Sequence, residues 1–496
     1  MALRGTCVLL LLGLAMGGAT GAMLTLDKLT PDKVARMSPG APSGCADGLP
    51  FEFLVRKGTT PNRVLIDFMG GGACWNSGDA ALGHKGCFDA ESISFQRGMG
   101  FWSLLDGVAT DKVASSLYNL ARIPRPPIAF SDQIEDVKTW TYIFVPYCTQ
   151  DVHLGTCDTT YARNGTQNKL VRHNGAANVK SVRDWVYTNF PAPDSLAFIG
   201  CSAGAAAAPY LEAARAAAHY AGKNTTIVAV GDSPTNLMTD EFAKNDLVKW
   251  GIQEAVTKVT AWTETNFADR LQPDFFEAAL SVILSKWPNL QVGMYTRTTD
   301  ATQLTFFKRM GGMIPPGTSD ADAMKIWRRH FLAMLKRLNE RHSNFRSFVA
   351  AGEGHCGMTF DSPLADGSSV KNSTVKAEFK QWIEALLLRG TGNAAGGQGS
   401  EPAQWTCGSE CTLGGVEGCD KVVGSNKLED RCRKCGGDGS SCATLTAQSG
   451  NCPPAPPLAT KEQAKDSASV RALPRATVCW SLLALTHAAS HSLTVR

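Results

Sequence analysis

The chain lacks a strong charge of either sign: 49 Lys and Arg stand against 45 Asp and Glu, a net charge of +4 over 496 residues. So small an excess does not imply a nucleic-acid partner, though it permits an acidic polysaccharide. The apolar run at the N terminus, Cys7 to Met16, is about ten residues long and too short to span a bilayer. No Gly-x-x-x-x-Gly-Lys-Ser/Thr loop and no dinucleotide fingerprint occurs. No metal site is expected either. His84 and Cys87 lie near each other, but Cys87 is expected to bridge to another cysteine. No cofactor is therefore expected.

What is present points outward from the cell. Residues 1–22 read as a signal peptide: Arg4, then the short apolar run, then small residues suited to cleavage near Ala22. Sequons at Asn164, Asn224 and Asn372 fit a glycosylating route. Of 16 cysteines, one is Cys7, seven lie between Cys45 and Cys356, and seven crowd between Cys407 and Cys452. The last is Cys479. A dense late cluster of this kind reads as a disulfide framework in a secreted, extracellular protein.

Residues 25–390 alternate strand-like and helix-like segments. Strands are expected at Arg63–Met69, Thr141–Pro146, Ser195–Ile199, Thr226–Gly231, Leu290–Thr296 and Phe345–Ala350. Helices are expected at Asn178–Phe190, Ala205–Ala218 and Val375–Leu388. That alternation predicts an α/β fold with a mostly parallel sheet covered by helices on both faces. Residues 391–402, rich in Gly, Ala and Ser, read as a linker, and 403–452 as a small disulfide-rich module. The tail 453–496 is expected to be disordered. Its apolar patch, Ala476–Ala489, is short and contains His487, which argues against a lipid-anchor signal.

Ser202 sits in Gly-Cys-Ser-Ala-Gly (200–204), with a strand expected before it and a helix after it. A serine at such a turn is held above the sheet, at a helix N-terminus. Its hydroxyl needs a base, and the base needs a carboxylate to orient it. His355, in Ala-Gly-Glu-Gly-His-Cys-Gly after the strand at 345–350, is the candidate base. His342 precedes that strand in a charged stretch and is expected to be exposed. Two aspartates compete for the acid, Asp300 after the strand at 290–296 and Asp232 after the strand at 226–231. The backbone N–H of Ala203 and the glycine-rich loop Gly70-Gly-Gly-Ala-Cys-Trp-Asn76 are the candidate oxyanion donors. Cys201, at a buried strand end, is expected to be a free thiol.

Six blocks resemble the pectin acetylesterases and Notum-type carboxylesterases. They are Asp-Phe-Met-Gly-Gly-Gly-Ala-Cys-Trp-Asn (67–76), Val-Pro-Tyr-Cys-Thr-Gln-Asp-Val-His-Leu-Gly (145–155), Gly-Cys-Ser-Ala-Gly, Val-Gly-Asp-Ser (230–233), Thr-Asp-Ala-Thr-Gln-Leu (299–304) and Gly-His-Cys-Gly (354–357). The resemblance covers roughly residues 25–390. It implies an α/β-hydrolase fold, a Ser202–Asp300–His355 triad, and oxyanion donors at Gly72, Ala73 and Ala203. Asp232 falls in a block taken as structural. Gly71 and Trp75 are candidate substrate-pocket residues. Ala73 departs from the family, which often has an aromatic residue after the glycines, and Ala205 replaces the last glycine of the plant pattern. Separately, Gly418 to Cys442 resembles the end of the cysteine-rich module of ADAMTS-type proteases and papilin, implying a matrix- or cell-wall-contacting module.

These features lead to an expected secreted serine carboxylesterase acting on acetyl esters of pectin or another cell-wall or matrix polysaccharide. The alternatives are a fatty-acyl protein deacylase of the Notum type and an inactive hydrolase fold that binds carbohydrate or matrix. A histidine base must be neutral, so the rate should fall as pH drops below about 6–7.

Overall fold

The computed structural model describes residues 23–76, 87, 135–162, 168–234, 236–263, 266–357, 373–387, 405–406, 420 and 422. The signal segment, the linker 391–402, the tail 453–496, and most of the cysteine-rich stretch lie outside them, as do the sequons at Asn164 and Asn372. Asn224 is exposed.

Strands β1 (Val34–Met37), β2 (Phe53–Arg56), β3 (Arg63–Phe68) and β4 (Thr141–Val145) form one half of the main sheet. A hairpin of β5 (Asp158–Tyr161) and β6 (Lys169–Arg172) stands apart from it. The other half holds β7 (Ser195–Cys201), β8 (Thr226–Asp232), β9 (Gln291–Thr299), β10 (Phe345–Glu353) and β11 (Trp405–Thr406). The nine strands lie in the order β1-β2-β4-β3-β7-β8-β9-β10-β11. Of these, β2 pairs antiparallel with both neighbours, and every other pair from β4 to β11 is parallel.

A sheet buried on both faces should show apolar residues without alternation, and β3 and β7 do. Successive side chains point to opposite faces. Val64, Ile66, Phe68, Leu196 and Phe198 therefore join one apolar cluster, while Leu65, Ala197 and Ile199 join a second. Helices α1 (Gly175–Asn189) and α2 (Ala208–His219) belong to the first face through Val182, Trp185 and Leu211. Helices α3 (Asp240–Asn245), α4 (Gln253–Thr260), α5 (Phe275–Lys286), α6 (Ala301–Arg309) and α7 (Asp320–Arg341) add to the same cluster. Helix α8 (Ser373–Leu387) covers the second face with Phe379, Trp382, Ile383 and Leu386. No described helix is long and apolar enough to cross a membrane.

The expected strands all appear, and most run past their expected ends. β7 continues through Gly200 and Cys201, because both pair with β8 across the sheet. The helix expected from Ala205 begins only at Ala208. A short 3-10 turn, Ser202–Ala205, comes first, and Pro209 occupies the first turn of α2, where its missing N–H costs nothing.

Two expectations are overturned. His342 is buried, 8% exposed, with its ring nitrogen 2.6 Å from Ser281 Oγ on α5. The helix that carries Ser281 packs over it, a long-range contact that a charged local sequence does not reveal. Cys201 is not a free thiol: it is disulfide-bonded to Cys356. Burial alone suggested an inert thiol, but the sheet brings a second buried cysteine to the same strand ends. Cys45 pairs with Cys148, and Cys87, expected to bridge, pairs with Cys74.

Candidate active site

Ser202 follows the last residue of β7 with φ of +54°, a backbone conformation that side chains rarely adopt. The surroundings impose it. A Cβ on Gly200 would lie 2.1 Å from the Gly204 carbonyl oxygen, and one on Gly204 would lie 2.0 Å from the Phe68 carbonyl oxygen. Only glycine lets the chain reverse this close to β3. The turn thus delivers Ser202, 5% exposed, to the carboxyl end of the central strands.

His355 lies beyond β10, on the loop that follows it. Its Nδ1 is 2.7 Å from Asp300 Oδ2. Of the two candidate aspartates, it is Asp300 that the imidazole meets. Asp232 turns elsewhere, accepting a hydrogen bond from Ser233 Oγ at 3.0 Å. Asp300 is fully buried and caps α6, accepting from the backbone N–H of Gln303 at 2.9 Å. The Gln303 side-chain amide also donates to Asp300 Oδ2, at 2.9 Å. With both oxygens engaged, the carboxylate cannot rotate away from the histidine. Gln303 escaped the sequence reading. Its signal was there, since Asp-Ala-Thr-Gln (300–303) is a helix-capping pattern with Gln at the third helical position.

His355 Nε2 is buried and makes no hydrogen bond with a described residue. It is the nitrogen that would receive a proton, and catalytic hydrogen bonds of this type commonly close only when substrate is bound. The Cys201–Cys356 disulfide joins the residue before Ser202 to the residue after His355, across 155 residues of chain. A second tie reinforces it: the Cys356 N–H donates to Ser233 Oγ at 3.0 Å. The cysteine sulfurs and a His355 ring nitrogen lie within 4.8 Å of one another. The sulfurs are joined, however, and a metal needs the thiolate.

Gly72, Ala73, Trp75, Ser202 and Ala203 line one cleft. Gly71 is exposed and lies outside its lining. Trp75 is buried against Phe242 and Phe306, with ring centroids 5.0 and 6.2 Å away. It places an aromatic wall in the cleft although Ala73 follows the glycines. Phe306 approaches Gly72 so closely that a Cβ there would lie 3.1 Å from its ring. Met238, Phe242, Phe276 and Met310 complete an apolar interior. The cleft is narrow, with a cavity volume of about 20 Å³.

The glycine loop is fastened from behind. Trp250 Nε1 donates to the Cys74 carbonyl at 2.7 Å, and the Cys74 N–H donates to the Gln150 carbonyl at 3.1 Å. Gln150, Val152 and His153 all have φ between +50° and +64°. The buried Asp151 carboxylate holds this strained turn together, accepting from Thr149 Oγ1 and from the N–H groups of His153, Gly155 and Gly175 at 2.6 to 3.1 Å. Burial still pushes its carboxyl up to about 6. His153 Nε2 lies 2.9 Å from the Met69 carbonyl, one residue before the glycines. Burial pulls this histidine down to about 4, so it is neutral.

His173 is likewise buried and held down to about 4, between the Thr149 carbonyl and Tyr161 Oη, each at 2.9 Å. An unfolded histidine takes up its proton near 6.5. The native state refuses that proton, so this group costs stability progressively as pH falls from about 6.5 to about 4. His173→Gln should lower the melting temperature at pH 7.5 through lost hydrogen bonds. Its deficit should shrink at pH 4.5, where only wild type carries the penalty. Melting curves at the two pH values test this, and a deficit that grows on acidification contradicts it.

No protein-family model matches the chain. Short likenesses occur to papilin of Drosophila melanogaster and to human disintegrin and metalloproteinase with thrombospondin motifs 10 and 3. Each is 64% identical over 28 residues, 6% of this chain. The chain spans only 1–2% of the length of these relatives. The likeness supports a module of that kind in the cysteine-rich stretch.

Proposed function

We propose that this chain is a serine carboxylesterase of the α/β-hydrolase type, secreted, and acting on acetyl esters of an extracellular polysaccharide. One observation carries the reading. A serine on a strained strand-to-helix turn is tied, through the Cys201–Cys356 disulfide, to the loop of a histidine whose Nδ1 is 2.7 Å from a fully buried carboxylate. A purely structural serine needs neither the strain nor the dyad. The strand order, with the second strand alone reversed, also supports an α/β-hydrolase core.

In this mechanism Ser202 Oγ attacks the acyl carbonyl while His355 Nε2 takes its proton. Asp300 keeps the proton of the imidazole on Nδ1 and stabilises the imidazolium without itself being protonated. The N–H groups of Ala203 and of the loop at Gly72 and Ala73 hold the oxyanion. His355 returns the proton to the leaving hydroxyl, and water, activated by the same histidine, releases the acyl group.

The narrow interior supports a short acyl group. The apolar lining, with the adaptable Met238 and Met310, supports a second reading, a fatty-acyl deacylase. An ester series from acetyl to long acyl, run on purified protein, separates them. Acetyl preference supports the first, and a rate rising with chain length moves the assignment to the second. No hydrolysis of any ester overturns both and favours a binding protein.

A further inference from the structure

A second cavity lies outside the ester chemistry. It has a volume of about 220 Å³, carries six charged side chains in its lining, and sits among α1, α2 and α4. Only a turn separates it from the catalytic cleft: Val152 lines the cleft, whereas His153 and Leu154 line this cavity.

Its charges are unbalanced. Lys180, Arg183, Arg215 and Lys258 line it against Glu212 and Glu254. Asp184, outside the lining, pairs with Lys180, and Glu254 pairs with Lys258. Glu212 is buried and serves two guanidinium groups at once. Arg183 Nη1 donates to both of its oxygens at 3.0 and 2.9 Å, and Arg215 Nη1 donates to Oε1 at 2.5 Å. One carboxylate between two guanidiniums leaves a local surplus of positive charge in a half-buried place, where screening is weak.

The surplus has direction. Arg215 spends its other terminal nitrogen on the Ala255 carbonyl. Arg183 spends only Nη1: its Nε and Nη2 donate to no described residue, and Arg183 lines the cavity. Those two nitrogens form the edge of the guanidinium that matches two oxygens of a carboxylate or sulfate. Glu212 fixes the opposite edge, so the fork is already oriented before any ligand arrives. The room available suits a sugar ring.

We propose that this cavity binds an anionic sugar, with the Nε–Nη2 edge of Arg183 forked onto its carboxylate or sulfate group and Lys180 and Lys258 at the rim. The proposal is independent of the esterase reading, because its test measures binding alone. Full-length protein is titrated calorimetrically at fixed ionic strength with galacturonic acid, galactose 6-sulfate, neutral galactose and inorganic sulfate. One or both anionic sugars should bind saturably and at least about tenfold more tightly than galactose. Whichever binds identifies the anionic group. Arg183→Gln should weaken that binding about tenfold or more, with its melting temperature near wild type because Arg215 still holds Glu212. Should that variant unfold, the Lys180→Gln, Lys258→Gln double variant should weaken binding several-fold instead. Absence of saturable binding, affinity unchanged in the variants, or inorganic sulfate binding as tightly as either sugar overturns the proposal.

Discussion

Ser202→Ala should abolish ester hydrolysis and leave the fold intact. The expected loss in kcat is about 10⁶-fold, the loss seen when the nucleophile of such a triad is removed. The substitution is clean. Ser202 already carries a Cβ at φ of +54°, so alanine meets the same backbone strain and brings no new atom. It removes one hydroxyl from a residue only 5% exposed, so the melting temperature should stay within a few degrees of wild type. The measurement is kcat on a small chromogenic acetate ester beside a thermal melt. Substantial turnover in a folded variant would remove Ser202 from the mechanism, whatever the geometry around it.

Asp300→Asn should cost kcat about 10⁴-fold with little change in substrate affinity. The carboxylate accepts the proton on His355 Nδ1 and thereby leaves Nε2 free to act as base. An asparagine amide can present its NH₂ to Nδ1 instead and drive the ring into the wrong tautomer. Its carbonyl can still accept from the Gln303 N–H, so the cap on α6 survives. Asp300→Ala removes both functions and should also lower stability by about 1 kcal/mol, the usual worth of an N-cap. The pair of variants separates orientation of the base from support of the helix. If the two lose the same activity and the same stability, Asp300 acts only as a structural cap.

The candidate site of this region was more legible in the sequence than its bracing. Ser202, His355 and the glycine loop announce themselves locally, because a strained turn and a backbone-exposing loop demand particular residues at particular spacings. Asp300 was one of two aspartates at strand ends, and position alone could not choose, since both end neighbouring parallel strands. The structure separates them by direction: Asp300 begins a helix beside the histidine loop, while Asp232 is bound to Ser233. The strands were legible as apolar runs, and their ends were not, because pairing with neighbours sets where a strand stops. The burial of His342 and the partner of Cys201 depend on contacts 61 and 155 residues away, and nothing in the local sequence encodes them. The Arg183–Glu212–Arg215 group was invisible for the same reason, being split between two helices.

The bond between Cys201 and Cys356 gives the protein a history as well as a shape. Its halves meet only after strands far apart in the chain have docked, and they join only where thiols are oxidised. Until then the Ser202 turn and the His355 loop are held by noncovalent contacts alone. Protein recovered from a reducing host can therefore carry every residue of the candidate site and still be incompletely assembled. Activity assays on such material should follow an oxidative maturation step and a count of free thiols, or a silent preparation will be mistaken for a silent sequence.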